Sequence, residues 1–293
     1  MASTRDYKRR IRSVKNTQQI TRAMKLVAAS KVRRAQERIE SARPYSEKIE
    51  ELVNSLAAKV SADTHPLLRD DMKDDRVLLL VVTSDKGLCG GYNTNLLRQA
   101  FQFLRKREDE VKETEIIVVG RKGRDFLARR EFAFKEQFTD VYGKIDFALA
   151  TQLAEIMTRA YLEEGFDEVH IITTEFRTIL SQSPRLSRLL PLAPPVPESV
   201  DAQGEPVAAE YIYEPSMEGV LETILPRHVR VQIYRSLLDA EASEFGARMT
   251  AMDNASRNAE EMIGTLTLQM NRVRQASITT ELLEVVAGAD ALA

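Results

Sequence analysis

The string TSDKGLCGGYN, at residues 83–93, contains the residue types that most resemble a binding site. It follows a short apolar run, and glycine-rich turns between a strand and a helix often hold phosphate against the helix N-terminal amides. The string lacks both the Gly-Lys-Ser/Thr ending of a P-loop and the G-x-G-x-x-G spacing of a dinucleotide site. The pattern therefore favours a tight turn with an exposed contact surface, and a nucleotide-binding enzyme that uses residues 85–91 stays open as an alternative.

Side chains that could act as nucleophiles or metal ligands are scattered along the chain. Cys89 is the only cysteine, and His65, His170 and His228 lie in unrelated segments. A cysteine nucleophile needs a nearby base, and a metal site needs clustered ligands. We therefore expect no catalytic residue, no cofactor and no metal. A single cysteine also excludes an internal disulfide, which fits a reducing compartment.

Positive charge is concentrated at the start of the sequence. Residues 1–38 hold twelve Lys or Arg against two acids, a net charge of +10, whereas residues 239–293 hold nine acids and four Arg. A segment this basic needs an acidic partner, which could be phosphate, anionic lipid or an acidic protein. A helical hairpin that binds nucleic acid is a second alternative. An apolar stripe that continues through the basic stretch argues against it.

The two ends of the chain have the pattern of long helices. Small or apolar residues recur at steps of three and four along residues 24–60 and again along residues 233–277, as in helices buried along one side. The spacing predicts one helix over about 3–59 and another over about 217–286. Neither helix can cover its own apolar stripe, so we predict that the two ends pair in antiparallel orientation.

Three helix breakers fall inside these predicted helices. Pro44 should bend or loosen the first helix without necessarily ending it. Gly246 and Gly264 interrupt the second stripe, and each is expected to cost about 1 kcal/mol relative to Ala. The pairing of the two helices must offset these local costs.

The middle of the chain alternates between strand-like and helix-like segments. Strands are predicted at 76–83, 115–120, 168–176 and 177–190, and helices at 93–106, 122–130 and 145–164. This alternation predicts a mostly parallel sheet with helices packed on it. The proline-rich residues 192–206 are expected to form an exposed loop. The longest purely apolar run, Val77 to Val82, is too short to cross a bilayer, so any membrane association is expected through partners.

Three strings make the chain resemble the γ subunit of F-type ATP synthases, the family of central rotor stalks. They are KRRIRSVKNTQQITRAMKLVAASKVRRAQ at residues 8–36, TSDKGLCGGYN, and ARMTAMDNASRNAEEMIGTLTLQMNRVRQASITTELLEVVAGADAL at residues 247–292. The resemblance covers essentially the whole chain and is most specific at the ends. It implies a non-catalytic subunit of a proton-translocating synthase. Such a subunit couples rotation of the membrane c-ring to conformational changes at the catalytic β subunits, and helps to regulate ATPase activity and proton flow.

The resemblance also implies a fold and a location. The fold class is α/β plus a long antiparallel coiled coil, with paired N- and C-terminal helices and a central Rossmann-like domain. The expected boundaries are 1–60 for the first helix, 61–208 for the α/β domain and 209–293 for the closing helix. The expected place is peripheral, at the cytoplasmic face of the inner membrane. The sequence has only Cys89 and no obvious insertion, so the thiol switch of plant relatives should be absent.

Partners follow from the same resemblance: α and β subunits, ε and the c-ring, with no nucleic acid. The positions expected to contact the hexamer of α and β subunits are Met24, Lys25, Lys86, Cys89, Arg248, Arg274, Gln275, Thr279 and Glu284. The string YIYEP would meet the c-ring and ε through Tyr211 and Glu214. The apolar end of the last helix would turn in a sleeve at the top of the hexamer. An acidic loop of β would supply the acidic partner that the basic segment requires.

Overall fold

The computed structural model describes residues 3–57, 60, 64–69, 75–110, 112–192, 213–214 and 216–290. Within these residues, the first and last helices are long, and the strands of a five-stranded sheet and three shorter α-helices lie between them in the sequence. The helices are α1 (Thr4–Ala57), α2 (Tyr92–Asp109), α3 (Arg121–Ala128), α4 (Phe147–Glu163) and α5 (Met217–Asp290). The strands are β1 (Arg76–Val82), β2 (Glu113–Val119), β3 (Glu136–Phe138), β4 (Glu168–Thr178) and β5 (Ser181–Leu190). Most of the predicted proline-rich loop, residues 193–206, lies outside the described residues.

Both long helices begin with a side-chain cap and continue through a proline. Asp6 N donates to Ser3 Oγ at 3.3 Å and Ser3 N donates to Asp6 Oδ2 at 3.1 Å, which is a reciprocal capping box at the start of α1. Gly219 N donates to Ser216 Oγ at 3.1 Å at the start of α5. Helix α1 contains Pro44 and α5 contains Pro226, so the prediction that Pro44 does not end the first helix is confirmed.

The sheet has the order β3-β2-β1-β4-β5, with β1 at its centre. Strands β3, β2, β1 and β4 are parallel, and β5 returns antiparallel to β4 through a short turn. Residues 77–82 of β1 are buried, as expected for a central strand with helices on both faces. The predicted mostly parallel sheet is confirmed. Strand β3 was not predicted, because three residues with the sequence EQF carry no apolar pattern.

Each face of the sheet has its own core. On one face, Leu79, Val81 and Ile116 pack with apolar residues of α2 and α3. On the other face, Leu78 and Leu80 pack with α4 and with parts of both α1 and α5. The long helices are therefore part of the α/β core as well as partners of each other.

The chain divides into two compact units, and both long helices contribute to each of them. The end unit consists of the chain up to Ala29 and from Arg248 onward, and the sheet unit consists of Ser30–Ala247. In the sheet unit, α1 buries the predicted stripe positions Val32, Ala35, Ile49, Val53 and Leu56. The stripe predicted for α1 is thus confirmed there.

In the end unit, ion pairs join α1 to α5 in opposite chain order. Lys25 Nζ lies 2.6 Å from Asp253 Oδ1, and Arg22 Nη2 lies 3.3 Å from Glu260 Oε2. The positions of α5 buried here are Met252, Ser256 and Ala259. The predicted stripe position Met262 is 53% exposed, so the prediction was wrong at that point. In this unit, the face of α5 that packs against α1 differs from the face that the spacing of alanines indicated.

Candidate partner-contact site

The 83–93 loop, which connects β1 to α2, is closed by hydrogen bonds among its own residues. Asn93 Oδ1 accepts from Ser84 N at 3.1 Å, and Asn93 Nδ2 donates to Ser84 Oγ at 2.8 Å. Ser84 Oγ in turn donates to the carbonyl oxygen of Lys86 at 2.7 Å. Cys89, a predicted contact, is only 2% exposed, with its Sγ 3.2 Å from Asn93 Nδ2. The polar side chains of Ser84 and Asn93 are thus used to hold the loop together.

The carboxyl edge of β1 is filled by protein atoms. Asp85 is 7% exposed, and its carboxylate accepts from Arg121 N at 3.0 Å, Asp140 N at 2.9 Å and Tyr142 N at 3.2 Å. Thr83 Oγ1 accepts from Gly123 N at 2.7 Å. In open α/β sheets, ligands bind in the crevice at this edge. Here the crevice holds a buried carboxylate bound by backbone N–H groups, so Asp85 is an anchor rather than a ligand-binding group.

The outer surface of the 83–93 loop is available to a partner. Lys86 is exposed, and Leu88 is 65% exposed with a φ of 63°. A bulky residue in the left-handed region is uncommon and costs conformational energy. Sequence reasoning missed Leu88 because one apolar residue in a glycine-rich string carries no periodic signal.

Three predicted contacts lie in the end unit where the two helices pair. Met24 and Arg248 are half-buried, and Lys25 is bound to Asp253. The hydrogen bond from Lys25 lowers the pKa of the Asp253 carboxyl below its ordinary value. Lys25 therefore already has an acidic partner within the chain, and its side chain remains 41% exposed to meet another.

Four predicted contacts lie along the last turns of α5, and all are exposed: Arg274, Gln275, Thr279 and Glu284. Thr279 Oγ1 donates to the carbonyl oxygen of Gln275 at 3.0 Å, so a poor helix former is accommodated by a bond within its own helix. The side chains here are exposed over several turns.

The tip of α5, residues 278–286, presents five exposed apolar side chains. They are Ile278, Leu282, Leu283, Val285 and Val286. Since Arg22 faces Glu260, the eighteen residues from Arg22 back to Thr4 match the part of α5 that ends near residue 278. The tip therefore extends past the start of α1, and a large exposed apolar group of this kind marks an interaction site.

The remaining predicted contacts belong to the string YIYEP. Tyr211 lies outside the described residues, and Glu214 is exposed. Tyr213, which was not predicted, lies with its hydroxyl 3.3 Å from Ser55 Oγ of α1. This contact connects the segment before α5 to the end of α1.

The basic face of α1 is only partly paired with acids among the described residues. Arg33 and Arg38 have acidic partners in the chain, as do Arg22 and Lys25. Arg9 and Arg10 interact with Asp6, whereas four exposed cations near the start of α1 have no acidic partner among the described residues: Arg5, Lys8, Arg12 and Lys15. Pairing of the two ends of the chain therefore satisfies only part of the basic segment.

Among the described residues, no group of three His, Cys, Asp or Glu could hold a metal ion. Along the same residues, no helix has the length and hydropathy that a membrane crossing needs. The features that remain are surfaces: a basic helix, a strained exposed loop and an apolar tip. Together with the α/β sheet they define a helical subunit that works through protein contacts.

Comparison with known proteins identifies the family. A family model described as ATP synthase matches residues 3–292. The chain is 49% identical over 292 residues to the ATP synthase gamma chain of Geotalea daltonii, covering 100% of this chain and 99% of the relative. It is 50% identical over 294 residues to the ATP synthase gamma chain of Moorella thermoacetica, with 100% of both chains covered. The chain belongs to the ATP synthase gamma chain family.

Solved structures agree with this assignment. A chain of the central stalk and c-ring of Tetrahymena thermophila mitochondrial ATP synthase matches with a TM-score of 0.59 and 28% identity, covering 81% of this chain and 99% of that one. A chain of the Euglena gracilis mitochondrial ATP synthase shares the fold, with a TM-score of 0.71 at 20% identity over 99% of this chain and 94% of that one. The protein is thus a central-stalk subunit, a rotor that takes no part in the bond-making chemistry, which occurs on the β subunits.

Proposed function

We propose that α1 and α5 form an antiparallel coiled coil that turns inside a hexamer of α and β subunits. The ion pairs support this, since contacts run in opposite order along the two helices in each unit. In the sheet unit, Arg38 pairs with Glu241, and Glu50 Oε2 lies 3.9 Å from Arg235 Nη1. In the end unit, the order is likewise reversed between the pairs of Arg22 and Lys25. Small buried residues such as Ala28 and Ala259 let two helix backbones approach closely.

The observation that carries the proposal is the exposed apolar tip beyond the start of α1. A free helix end with five exposed aliphatic side chains would be unfavourable in water, and a surrounding sleeve of subunits would cover it. The exposed cations of α1 would meet acidic loops of β during rotation. The proposed contact residues are those expected from the sequence, except in the 83–93 loop. There Leu88 joins Lys86 in meeting the partner, and the buried Cys89 supports the loop from inside.

Rotation would act through differential contact. The sides of the paired helices differ in charge and shape, so each of three β subunits meets a different surface at a given angle. A surface that binds one β conformation more tightly shifts that subunit's population, and with it the affinity for nucleotide. No residue of this chain needs to touch nucleotide.

The α/β region would be the foot of the rotor. The parallel order β3-β2-β1-β4 supports a Rossmann-like arrangement, with its crevice filled by protein atoms. The foot would bind ε and the c-ring through the segment that holds Tyr211 and Glu214. Functionally, residues 1–60 and 209–293 form the shaft and residues 61–208 the foot. The protein would be peripheral, held at the cytoplasmic face of the inner membrane by its partners.

Co-purification from native membranes tests the assembly. We expect α, β, ε and c subunits to accompany this chain, and their absence would contradict the proposal. A salt-sensitive gel shift with DNA would favour the nucleic-acid alternative. Titration calorimetry of the isolated chain with ATP tests the nucleotide-binding alternative. A heat of binding would favour that alternative, whereas the rotor proposal predicts no binding of ATP.

A set of tip variants tests the mechanism. Replacing Ile278, Leu282 and Leu283 by Ser removes apolar surface while keeping the helix length. We expect weaker torque or assembly, with ATP hydrolysis by the β subunits retained, because no catalytic group is removed. Replacing the exposed neighbours Thr280 and Glu281 by Ser is the matched control and should change little. Loss of the nucleotide chemistry of β itself, or equal effects of both sets, would count against the proposal.

A further inference from the structure

The segment 140–145, which connects β3 to α4, is held from two sides by buried carboxylates. From the sheet side, Asp85 accepts from the backbone N–H groups of Asp140 and Tyr142. From the helix side, Glu241 of α5 accepts from Gly143 N at 3.0 Å. These contacts make one short segment the meeting point of the sheet and α5.

Helix α1 joins the same segment through Arg38. Its guanidinium pairs with Glu241 Oε2, and its Nη1 donates to the carbonyl oxygen of Ile145 at 3.0 Å. The Glu241 side chain is 1% exposed, whereas that of Arg38 is 36% exposed. A buried carboxylate is stable only when its partners are fixed in good geometry. Arg38 and Gly143 N therefore constrain Glu241, and Glu241 constrains them.

A tyrosine pair forms a second connection beside the first. Tyr92, at the start of α2, lies with its hydroxyl 3.2 Å from the hydroxyl of Tyr142. The Tyr92 hydroxyl also donates to the carbonyl oxygen of Ala240 at 3.2 Å, one residue before Glu241. Helix α5 is thus held at this turn by polar contacts of two groups. They are the Glu241 carboxylate and the Ala240 carbonyl oxygen.

Elsewhere the contact between the long helices and the sheet is largely apolar, with two neutral hydrogen bonds between β4 and α5. Thr173 Oγ1 donates to the carbonyl oxygen of Ser236 at 3.3 Å, and Ser243 Oγ donates to the carbonyl oxygen of Thr174 at 3.2 Å. Leu225, Val229 and Leu237 of α5 share a core with Leu78 and Leu80 of β1. Apolar burial is favourable but non-directional, so such surfaces resist separation more than small sliding or rotation. Hydrogen bonds weaken steeply away from linear geometry. The polar bonds at segment 140–145 include a charge-assisted pair and connect both α1 and α5 to one loop. We therefore expect them to contribute most of the directional resistance to rotation of the helices on the sheet.

We propose that Glu241 and Arg38 are positioning residues of the rotor, which clamp segment 140–145 and fix the rotational register of α1 and α5 on the α/β sheet. The inference rests on the proposed rotor function. Under load, torque applied to the foot passes into the two helices through this clamp, and its stiffness limits how far the foot can turn before the shaft follows.

The clamp is tested in assembled complexes by the angular fluctuation of a single bead. The bead is attached through a cysteine introduced at Leu180, which is 84% exposed in the turn between β4 and β5. With the hexamer arrested by a non-hydrolysable ATP analogue, the variance of the bead angle reports torsional stiffness. Glu241→Gln should broaden that variance about twofold, since charge-assisted hydrogen bonds are roughly twice as strong as neutral ones. Arg38→Lys should broaden it less, because it keeps the charge and loses the planar fork.

Two control variants distinguish a change in the angular stiffness of the helices on the sheet from a general loss of stability. Val229→Ala removes buried apolar contact from the same helix and should lower the melting temperature while leaving the angular variance unchanged. Glu260→Gln removes the exposed pair with Arg22 and should change neither quantity. A variant that only destabilises the fold would behave like Val229→Ala.

The outcomes are distinct. Wild-type variance in both Glu241→Gln and Arg38→Lys overturns the inference, and if Glu241→Gln does not assemble, Arg38→Lys decides the question. Broadening in Val229→Ala equal to that in Glu241→Gln also overturns it. If the wild-type chain fails to rotate with α and β subunits, the proposed function itself fails, which is a different result from rotation with unchanged variance.

Discussion

At the scale of single residues, the ends of β1 and β2 approach so closely that glycine is required. Gly120 has a φ of +96°, and a Cβ built there would lie 2.0 Å from the carbonyl oxygen of Thr83. Gly165 also has a positive φ, +75°, but its nearest neighbour would be the flexible Arg76 guanidinium at 3.5 Å. Both glycines have a positive φ, and they differ in the space around them.

This difference predicts unequal costs for the same substitution. Gly120→Ala should lower the free energy of unfolding by more than about 3 kcal/mol, because backbone must move to admit the methyl group. Gly165→Ala should lower it by about 1 kcal/mol, the cost of the strained φ alone. Urea unfolding of the two isolated variants measures both values, and similar losses would contradict the close approach at Thr83.

We expect the buried carboxyl group of Asp239 in α5 to make the chain less stable as the pH rises, which is unusual for an acid. Burial raises the pKa of its carboxyl from 3.8 to about 6, although Arg235 and Arg43 act in the opposite direction. Since the folded chain holds this proton more tightly, the contribution of Asp239 is complete below about pH 4 and is lost as the pH rises through about 6. Asp239→Asn should therefore stabilise the chain by on the order of 2 kcal/mol at pH 7.5, with little difference from wild type below pH 4.

Asp253 provides the matched control for that measurement. Its hydrogen bond with Lys25 lowers its pKa, so its contribution has the opposite sign and is present at neutral pH. Asp253→Asn should not stabilise the chain at pH 7.5. Denaturant unfolding of both variants between pH 3.5 and 8 would contradict the assignment of Asp239 if the two curves had the same shape.

The residues of the site could be predicted from sequence only in part. The 83–93 string could be recognised as special, but irregular backbone has no period from which inward and outward side chains can be inferred. Cys89 therefore turned out to be buried where a contact was expected, and the exposed Leu88 was missed. Glu241 lies within residues 233–277, where an apolar stripe was predicted, but a lone acid in such a stretch is ordinarily assigned to the surface.

At the scale of secondary-structure elements, α5 contains two glycines with different surroundings. A Cβ at Gly246 would lie 3.3 Å from Gln182 Nε2 and 3.5 Å from Phe176, close to the β4–β5 turn. A Cβ at Gly264 would meet nothing within 4 Å among the described residues. The equal cost expected from the sequence therefore applies to Gly264 only, because Gly246 permits close packing.

Substitution of these glycines should distinguish the effect of helix propensity on stability from the effect of side-chain packing. Gly264→Ala should raise the free energy of unfolding by up to about 1 kcal/mol, the difference in helix propensity. Gly246→Ala should gain less because Gln182 must move, and Gly246→Leu should lose about 1–3 kcal/mol through overpacking. Gly264→Leu is the control for side-chain size and should not destabilise. Thermal unfolding of the four variants checks the order, and equal behaviour of Gly246→Leu and Gly264→Leu would contradict it.

The elements themselves followed the sequence closely where a period existed. Helix α1 was predicted over about 3–59 and extends over Thr4–Ala57, and α5 begins at the predicted Met217. Strand β3 could not be predicted, since its three residues form a strand only because β2 offers them a pairing edge. The fold was thus predictable from local pattern except where tertiary pairing alone decides the structure.

At the scale of the whole molecule, charge is distributed for association. The +10 net charge of residues 1–38 is only partly neutralised within the chain. An exposed surface of one sign raises the rate of encounter with a partner of the opposite sign, and dissolved salt screens that attraction. The basic end of α1 should therefore influence the rate of assembly more than the final affinity.

This charge predicts salt-dependent assembly. The association rate with α and β subunits should fall about tenfold between low salt and 0.3 M salt. Replacing Arg5, Lys8 and Arg12 by Gln should flatten that dependence. The control replaces three exposed cations of the sheet unit, Arg98, Arg129 and Lys144, and changes the net charge equally. Stopped-flow fluorescence measures the rates, and equal flattening by both sets would contradict a local role of the α1 face.

The edges of the sheet have a consequence for the chain before it meets its partners. One edge strand, β3, has three residues, and the other, β5, contains Pro184 together with Arg185 and Arg188. Very short strands, prolines and basic side chains are poor templates for the addition of a strand from another molecule. A newly made copy therefore exposes aliphatic side chains at the tip of α5, while the edges of its sheet are poorly suited to pairing with strands of other copies. Before assembly, an isolated copy should therefore be less prone to amyloid formation through its sheet edges.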